Sequence, residues 1–127
     1  MRQLTLNSPW YELVRDGRKL YEGRRAIPSI LSLIIGEIIS ISHHTDVTLP
    51  SYEVIVTSLT RYNTFEEALI ELPLDEVLPI PEITIDEGVK IYQQYVSLAT
   101  QQRDGVILIG IKVQLPHHLL LVAMESI

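Results

Sequence analysis

Apolar positions change spacing several times along the first half of the chain, and each change predicts an element. Residues 3–6 alternate and predict a short strand. Ser8 then offers a helix N-cap and Pro9 suits a first turn, while Trp10, Leu13 and Val14 fall at i, i+3 and i+4 on one apolar helical face. Asp16-Gly17 closes that helix, since glycine takes positive φ freely. A second strand is expected from residue 20 to about 24. Residues 27–33 form an irregular apolar connection opened by Pro28, and Gly36 marks a turn. Residues 37–43 and 52–59 are rich in β-branched side chains and predict two strands around a loop at 45–50.

The second half announces two helices with one signature. Thr64-Phe65-Glu66-Glu67 and Thr84-Ile85-Asp86-Glu87 both read as capping boxes. Phe65, Ala68, Leu69 and Leu72 make the first buried stripe, stopped by Pro73; Ile85, Val89, Tyr92 and Val96 make the second. Between them, residues 74–81 predict one helical turn and a proline-constrained loop. Asp104-Gly105 is a turn, and residues 105–113 are apolar on both faces, the pattern of a central strand. Residues 114–127 receive no assignment.

This order lacks regular βαβ alternation, which disfavours a doubly wound sheet. The expected class is α+β: a small, curved, mixed β-barrel with two to three helices packed outside. A length of 127 residues suits one domain over 1–127 with a core that needs neither disulfide nor metal. The absence of cysteine excludes disulfides, thiol nucleophiles and cysteine-ligated zinc, and fits a cytoplasmic, intracellular setting. Residues 1–6 carry no signal-peptide core, and the apolar stretch 27–41 is broken by Pro28, Gly36 and Glu37, so no membrane span is expected.

A formal net charge of −6 argues against coating of duplex nucleic acid by bulk electrostatics. The distribution changes the picture. Arg15, Arg18, Lys19, Arg24 and Arg25 lie within eleven positions, whereas residues 64–88 hold eight carboxylates and no Lys or Arg. A local basic site on an acidic body suits a small anionic ligand or a few phosphates.

Ser8-Pro9-Trp10, a helix, and then Gly17-Arg18-Lys19-Leu20-Tyr21-Glu22-Gly23-Arg24 resemble the opening of ASCH domains, whose hallmark is a G-x-K-x-x-E-x-R run. Gly36-Glu37 resembles that family's Gly-Asp turn, with Glu for Asp, and residues 65–79, Glu87 to Tyr92 and Gly105-Val106 resemble its second half. The resemblance spans about residues 3–113. It implies a PUA-like β-barrel with a cleft facing the first helix and the Lys/Glu/Arg run, and a ligand among RNAs or modified nucleosides and nucleotides. One bacterial branch of the family hydrolyses N4-acylated cytidines through a lysine, a threonine and a glutamate. Its lysine corresponds to Lys19; its threonine position holds Glu22, which removes the hydroxyl nucleophile; its later glutamate falls near Glu71.

The chemistry of these residue types is consistent with such a site. A partly buried Lys19 acts as a base or holds a phosphate, Arg24 can pair bidentately with phosphate or carboxylate, and Glu22 can accept from an exocyclic amine. The plainer alternative pairs Glu22 with Arg24 on a strand and leaves Lys19 solvated. Strand side chains alternate, so Lys19 and Glu22 share a cleft only if Lys19 sits in the turn before the strand. Trp10 and Tyr11 are candidate stacking residues, although packing through its helical stripe is preferred for Trp10 and a structural role for Tyr92; Tyr95 lines the cleft or covers the outer surface. His43-His44 and His117-His118 do not chelate as adjacent pairs on a strand, and no metal or cofactor is expected.

Three functions follow. The first is a binding domain for RNA or a nucleoside using Trp10, Tyr11, Lys19, Glu22 and Arg24. The second is an enzyme, an N4-acylcytidine amidohydrolase or a ribonuclease, with Lys19, Glu22 and Glu71 as catalytic candidates. The third is a protein-interaction domain using the acidic segment 64–88. Oligomeric state is not readable from the sequence.

Overall fold

The computed structural model describes residues 1–114. Its elements run β1 (Arg2–Leu6), α1 (Trp10–Arg15), β2 (Tyr21–Arg25), α2 (Pro28–Leu31), β3 (Ile38–His43), β4 (Tyr52–Tyr62), α3 (Phe65–Glu71), α4 (Leu74–Val77), α5 (Ile85–Gln93), α6 (Leu98–Asp104) and β5 (Val106–Gln114). The five strands form one mixed sheet in the order β1-β3-β4-β5-β2. The β1–β3 pairing is parallel and the other three are antiparallel. An irregularity between Val56 and Ser58 inserts an extra residue into β4 opposite β5, the device that bends a strand and tightens its twist. The sheet curls into a half-barrel, leaving β1 and β2 as its two edges.

Alternation along β5 decides where the core sits. Ile107, Ile109 and Ile111 face the inside of the half-barrel with Tyr11, Val14, Ile39, Ile41, Val54 and Val56. Val106 and Leu108 face the other way, under Phe65, Ala68, Leu69, Val77, Leu78 and Tyr92 from the helical layer. The strand therefore carries apolar side chains on both faces, as its pattern predicts. Trp10 packs against both clusters.

The local signals hold with some corrections. Six helices, mostly one or two turns long, surround the sheet among the described residues, not the two or three expected. Residues 27–33 contain the α2 turn, opened by Pro28 at the first helical position. The pattern of the chain does not predict α6: its sequence LATQQRD lacks an apolar stripe, and Ser97 caps it by accepting from the Thr100 N–H. Ser8 does not cap α1. Pro9 is the N-cap residue, after a cis Ser8–Pro9 bond, and the Ser8 hydroxyl donates to Glu12 instead. Thr84 and Glu87 form the complete reciprocal box, whereas Glu67 accepts from the Asn63 N–H rather than from that of Thr64. Thr84→Ala is accordingly expected to lower stability by about 1 kcal/mol, read from urea unfolding, because the Glu87 N–H loses its hydroxyl acceptor while the backbone half of the box remains.

Candidate functional site

The turn between α1 and β2 places Lys19. Gly17 adopts φ +76°, and the Leu13 carbonyl accepts from the N–H groups of both Arg18 and Lys19 at 3.0 Å. The Leu20 N–H donates to the Glu76 carbonyl at 2.8 Å, tying the turn to α4. Lys19 thus precedes the strand proper, the condition for sharing a cleft with Glu22, and its side chain is driven inward to 2% exposure. Its ammonium donates to the Val77 carbonyl and stands 5.3 Å from the centre of the Trp10 ring. Burial lowers its pKa to about 8; the Glu22 carboxylate pulls the other way and the Arg24 guanidinium adds to the depression.

Glu22 and Arg24 are two apart on β2, so they share a face; their partners across the ladder, Ile109 and Ile107, turn into the half-barrel. The Arg24 guanidinium donates to Glu22 Oε2 from Nε at 3.1 Å and from Nη2 at 3.0 Å. Nη2 also donates to the Thr5 carbonyl at 2.9 Å, bridging the two sheet edges β2 and β1. The pairing that a plain structural reading predicts is present, but the pair lines a cavity rather than a flat surface, and Lys19 is not solvated.

That cavity, about 470 Å³, straddles the free edge of β2. Lys19, Glu22, Arg24 and Trp10 line it, with Asn7, Thr5 and His44 at the β1 end and Tyr92, Tyr95 and Ser97 on the helical side. Its volume falls in the range typical of small-molecule sites. Gly23 lets the helical wall close in: a Cβ there would lie 2.7 Å from Phe65 Cε1 and 2.9 Å from Tyr92 Cε1. Those two rings stack at 4.0 Å, with 12° between their planes.

Tyr92 is a cavity residue to which the sequence pattern assigns only a structural role. It is structural, being stacked on Phe65 and only 8% exposed, yet its hydroxyl is buried without a hydrogen-bond partner among the described residues. Burial pushes its pKa up, and the Glu22 charge adds to the rise, so it is a neutral donor at physiological pH. A buried hydroxyl with no partner is uncommon enough to mark a place for a ligand or water. The stripe containing Tyr92 is visible in the sequence; the direction of its hydroxyl is not. Tyr95 lines the cavity from an exposed position.

Two residues singled out from the sequence fall elsewhere in the fold. Tyr11, not Trp10, joins Val14 in turning fully from α1 into the barrel core: its ring packs on His43 and Tyr52 and its hydroxyl donates to the Pro50 carbonyl, so it has no face left for a base. Glu71 ends α3 on its exposed side, because the inward stripe is Phe65, Ala68 and Leu69. It interacts with the Tyr62 hydroxyl, which burial and this carboxylate push up to about 12, and it does not line the cavity. His43 Nδ1 accepts from the N–H groups of Thr45 and Asp46, and its Nε2 contacts Ser8 Oγ at 3.0 Å. No group of three or more metal-ligating side chains occurs among the described residues, and none of their helices is long and apolar enough to cross a membrane. His117, His118 and the apolar run 119–124 lie outside the described residues.

Comparison with known proteins agrees with this architecture. The crystal structure of hypothetical protein PH0355 is similar at 28% identity and a TM-score of 0.78, covering 90% of this chain and all of that one. The solution structure of protein PF0455 from Pyrococcus furiosus is similar at 26% identity and a TM-score of 0.70, covering 88% of this chain and 96% of that one. The crystal structure of ASCH from Zymomonas mobilis, at 14% identity and a TM-score of 0.61 over 87% of this chain and 65% of that one, shares the fold. No functionally curated protein matches. The ASCH domain model matches residues 4–114, a span that includes the Gly17–Arg24 run, the end of β1, all of β2 to β5 and the whole cavity wall. The chain belongs to the ASCH domain family.

Proposed function

We propose that the cavity beside β2 binds RNA or a modified nucleoside, with one base or nucleoside seated inside. The observation that carries this reading is the convergence of a buried ammonium (Lys19), a carboxylate (Glu22) and a guanidinium (Arg24) on one aromatic-lined hollow. Glu22 Oε1 makes none of the hydrogen bonds found among the described residues, and so offers an acceptor to an amino or imino group. Lys19 and the Tyr92 hydroxyl offer donors to ring carbonyls and nitrogens. The Trp10 ring and the Phe65–Tyr92 stack supply apolar walls. Arg24 and Arg25 both line the cavity and offer positive charge to a phosphate, Arg25 from beside Asp104 at 3.5 Å.

Titration of a panel of nucleosides and short single-stranded RNAs, followed by NMR shifts of Gly23 and its neighbours, tests the proposal. Binding is expected for at least one member, weakened tenfold or more by Glu22→Gln. For an RNA held through one or two phosphates, log K is expected to fall against log salt with a slope near −1. A panel that shifts no cavity resonance would overturn the reading.

A hydrolytic role at the same site is a second reading, favoured by Lys19, whose pKa near 8 makes it a usable base at neutral pH. Turnover of N4-acetylcytidine that disappears in Lys19→Met would establish it; unchanged turnover in that variant would remove Lys19 from the chemistry.

A further inference from the structure

Lys19 has a property that ligand binding alone does not use. Among the described residues its ammonium has no carboxylate within ion-pair distance, because Glu22 is engaged by Arg24. It has one acceptor among those residues, the Val77 carbonyl, and it lies on the wall of a cavity rather than in solid core. Around the same hollow stand Glu22 and the unpartnered Tyr92 hydroxyl, and Arg24 leaves Nη1 without a partner among the described residues.

We propose that Lys19 captures small aldehydes bearing an anionic group, forming an imine through Nζ within this cavity. The proposal uses the same cavity as the binding function but makes a separate claim about its chemistry. The unprotonated amine adds to the aldehyde carbon: the C–N bond forms, and the carbonyl π pair moves to oxygen. The proton shed by nitrogen passes by way of Glu22 to that oxygen, giving a carbinolamine. The C–O bond then breaks as the oxygen takes a second proton, supplied by solvent, and leaves as water, with the nitrogen pair closing the C=N bond to give the protonated imine. The Tyr92 hydroxyl hydrogen-bonds the departing oxygen, and Arg24 holds the anionic group. No oxidant or reductant is consumed.

Burial supplies the reactive form. A lysine at the ordinary value of 10.5 is almost wholly protonated at pH 7, whereas one lowered to about 8 holds on the order of a few hundred times more free amine. The chain's only other lysines, Lys90 and Lys112, are exposed, so the protein contains its own comparison.

Pyridoxal 5′-phosphate, which joins an aldehyde to a phosphate, is the probe. The protein is mixed with limiting reagent at pH 7, reduced with borohydride and mapped by peptide mass spectrometry. Lys19 is expected to carry at least about ten times the adduct of Lys90 or Lys112, a floor well below the free-amine ratio because the cavity restricts entry. The α-amino group, which also holds free amine at this pH, is scored separately. Pyridoxal without the phosphate is expected to label Lys19 several-fold less, and Tyr92→Phe to slow imine formation. Lys19→Arg is expected to lose the adduct while retaining the charge; if that variant does not fold, the distribution over the three wild-type lysines decides. Adduct spread evenly over them, or absent from Lys19, would overturn the inference. The nucleoside and RNA panel separates the two claims. Binding there without trapping at Lys19 sinks the imine alone, and trapping without binding sinks the nucleotide reading alone.

Discussion

Lys19→Met is expected to raise stability by about 1–2 kcal/mol at pH 7 while abolishing ligand binding. Burial holds the folded pKa at about 8 against 10.5 for an ordinary lysine, a difference worth about 3 kcal/mol of charge burial. Methionine removes that cost. It also leaves the Val77 carbonyl without its donor and loses the contact with Trp10, together about 1–2 kcal/mol, which sets the smaller net gain. Proton counting fixes the sign with pH. Between about pH 8 and 10.5 the unfolded chain keeps the Lys19 proton and the folded chain has released it, so wild-type stability from this group rises with pH. That contribution is complete above 10.5 and is lost as pH falls through about 8. The advantage of the variant is therefore expected to shrink across this window and to reverse above it. Urea unfolding of both proteins at pH 7 and pH 10.5 measures this directly. An advantage independent of pH would mean that Lys19 does not carry a buried charge. A stabilising substitution that destroys binding is the behaviour of a residue kept for function at a cost in stability.

Phe65→Ala is expected to cost about 3–5 kcal/mol, the largest effect on stability among these substitutions. Phe65 is 1% exposed and stacks on Tyr92. It joins the α3 stripe to the outer face of β5 and β2, and its N–H donates to the buried Gln101 side chain. Truncation empties the space beside the cavity and frees the Tyr92 ring, so binding is expected to weaken even where the variant still folds. Gly23→Ala presses on the same two rings from the β2 side and is expected to cost about 1–3 kcal/mol by overpacking. Combined, the two substitutions are expected to cost less than their sum, since the added methyl enters the space that the lost phenyl leaves. Strict additivity in urea unfolding would show that Gly23 and Phe65 are not in the contact described.

Much of the fold is legible in the chain because its signals are local. Alternation along 52–59 and the two-faced apolar run 105–113 follow from one period and from burial on both sides, and they reappear as β4 and β5. Gly17 and Gly36 at positive φ, and the Thr84–Glu87 box, are set by residues within a few positions of one another. The α6 helix is not legible. Gln101 is its one buried side chain, and Gln101 is buried because it accepts from the Phe65 N–H and donates to the Val96 carbonyl, relations no periodicity encodes.

The site divides along the same line. Gly17 before Lys19 makes a turn possible, and the spacing of Glu22 and Arg24 puts them on one strand face; these are statements about neighbours in the chain. Whether Tyr11 or Trp10 enters the core depends on how a six-residue helix rotates against the sheet, and the sheet selects Tyr11. Glu71 is suggested by loose correspondence along the chain, whereas its exposure depends on which side of α3 meets β5.

By itself, then, the order of amino acids determined the α+β class, most of the strands, the two capped helices and the local run that carries Lys19, Glu22 and Arg24, because propensity, periodicity and turn chemistry act over a few residues. Only the tertiary structure decided that Lys19 is buried, that its ammonium meets a carbonyl 58 positions away, and that Tyr92 lines the same hollow with a hydroxyl unpaired among the described residues. Desolvation is a sum over everything packed around a group, and most of what surrounds these two comes from elements far away in the chain.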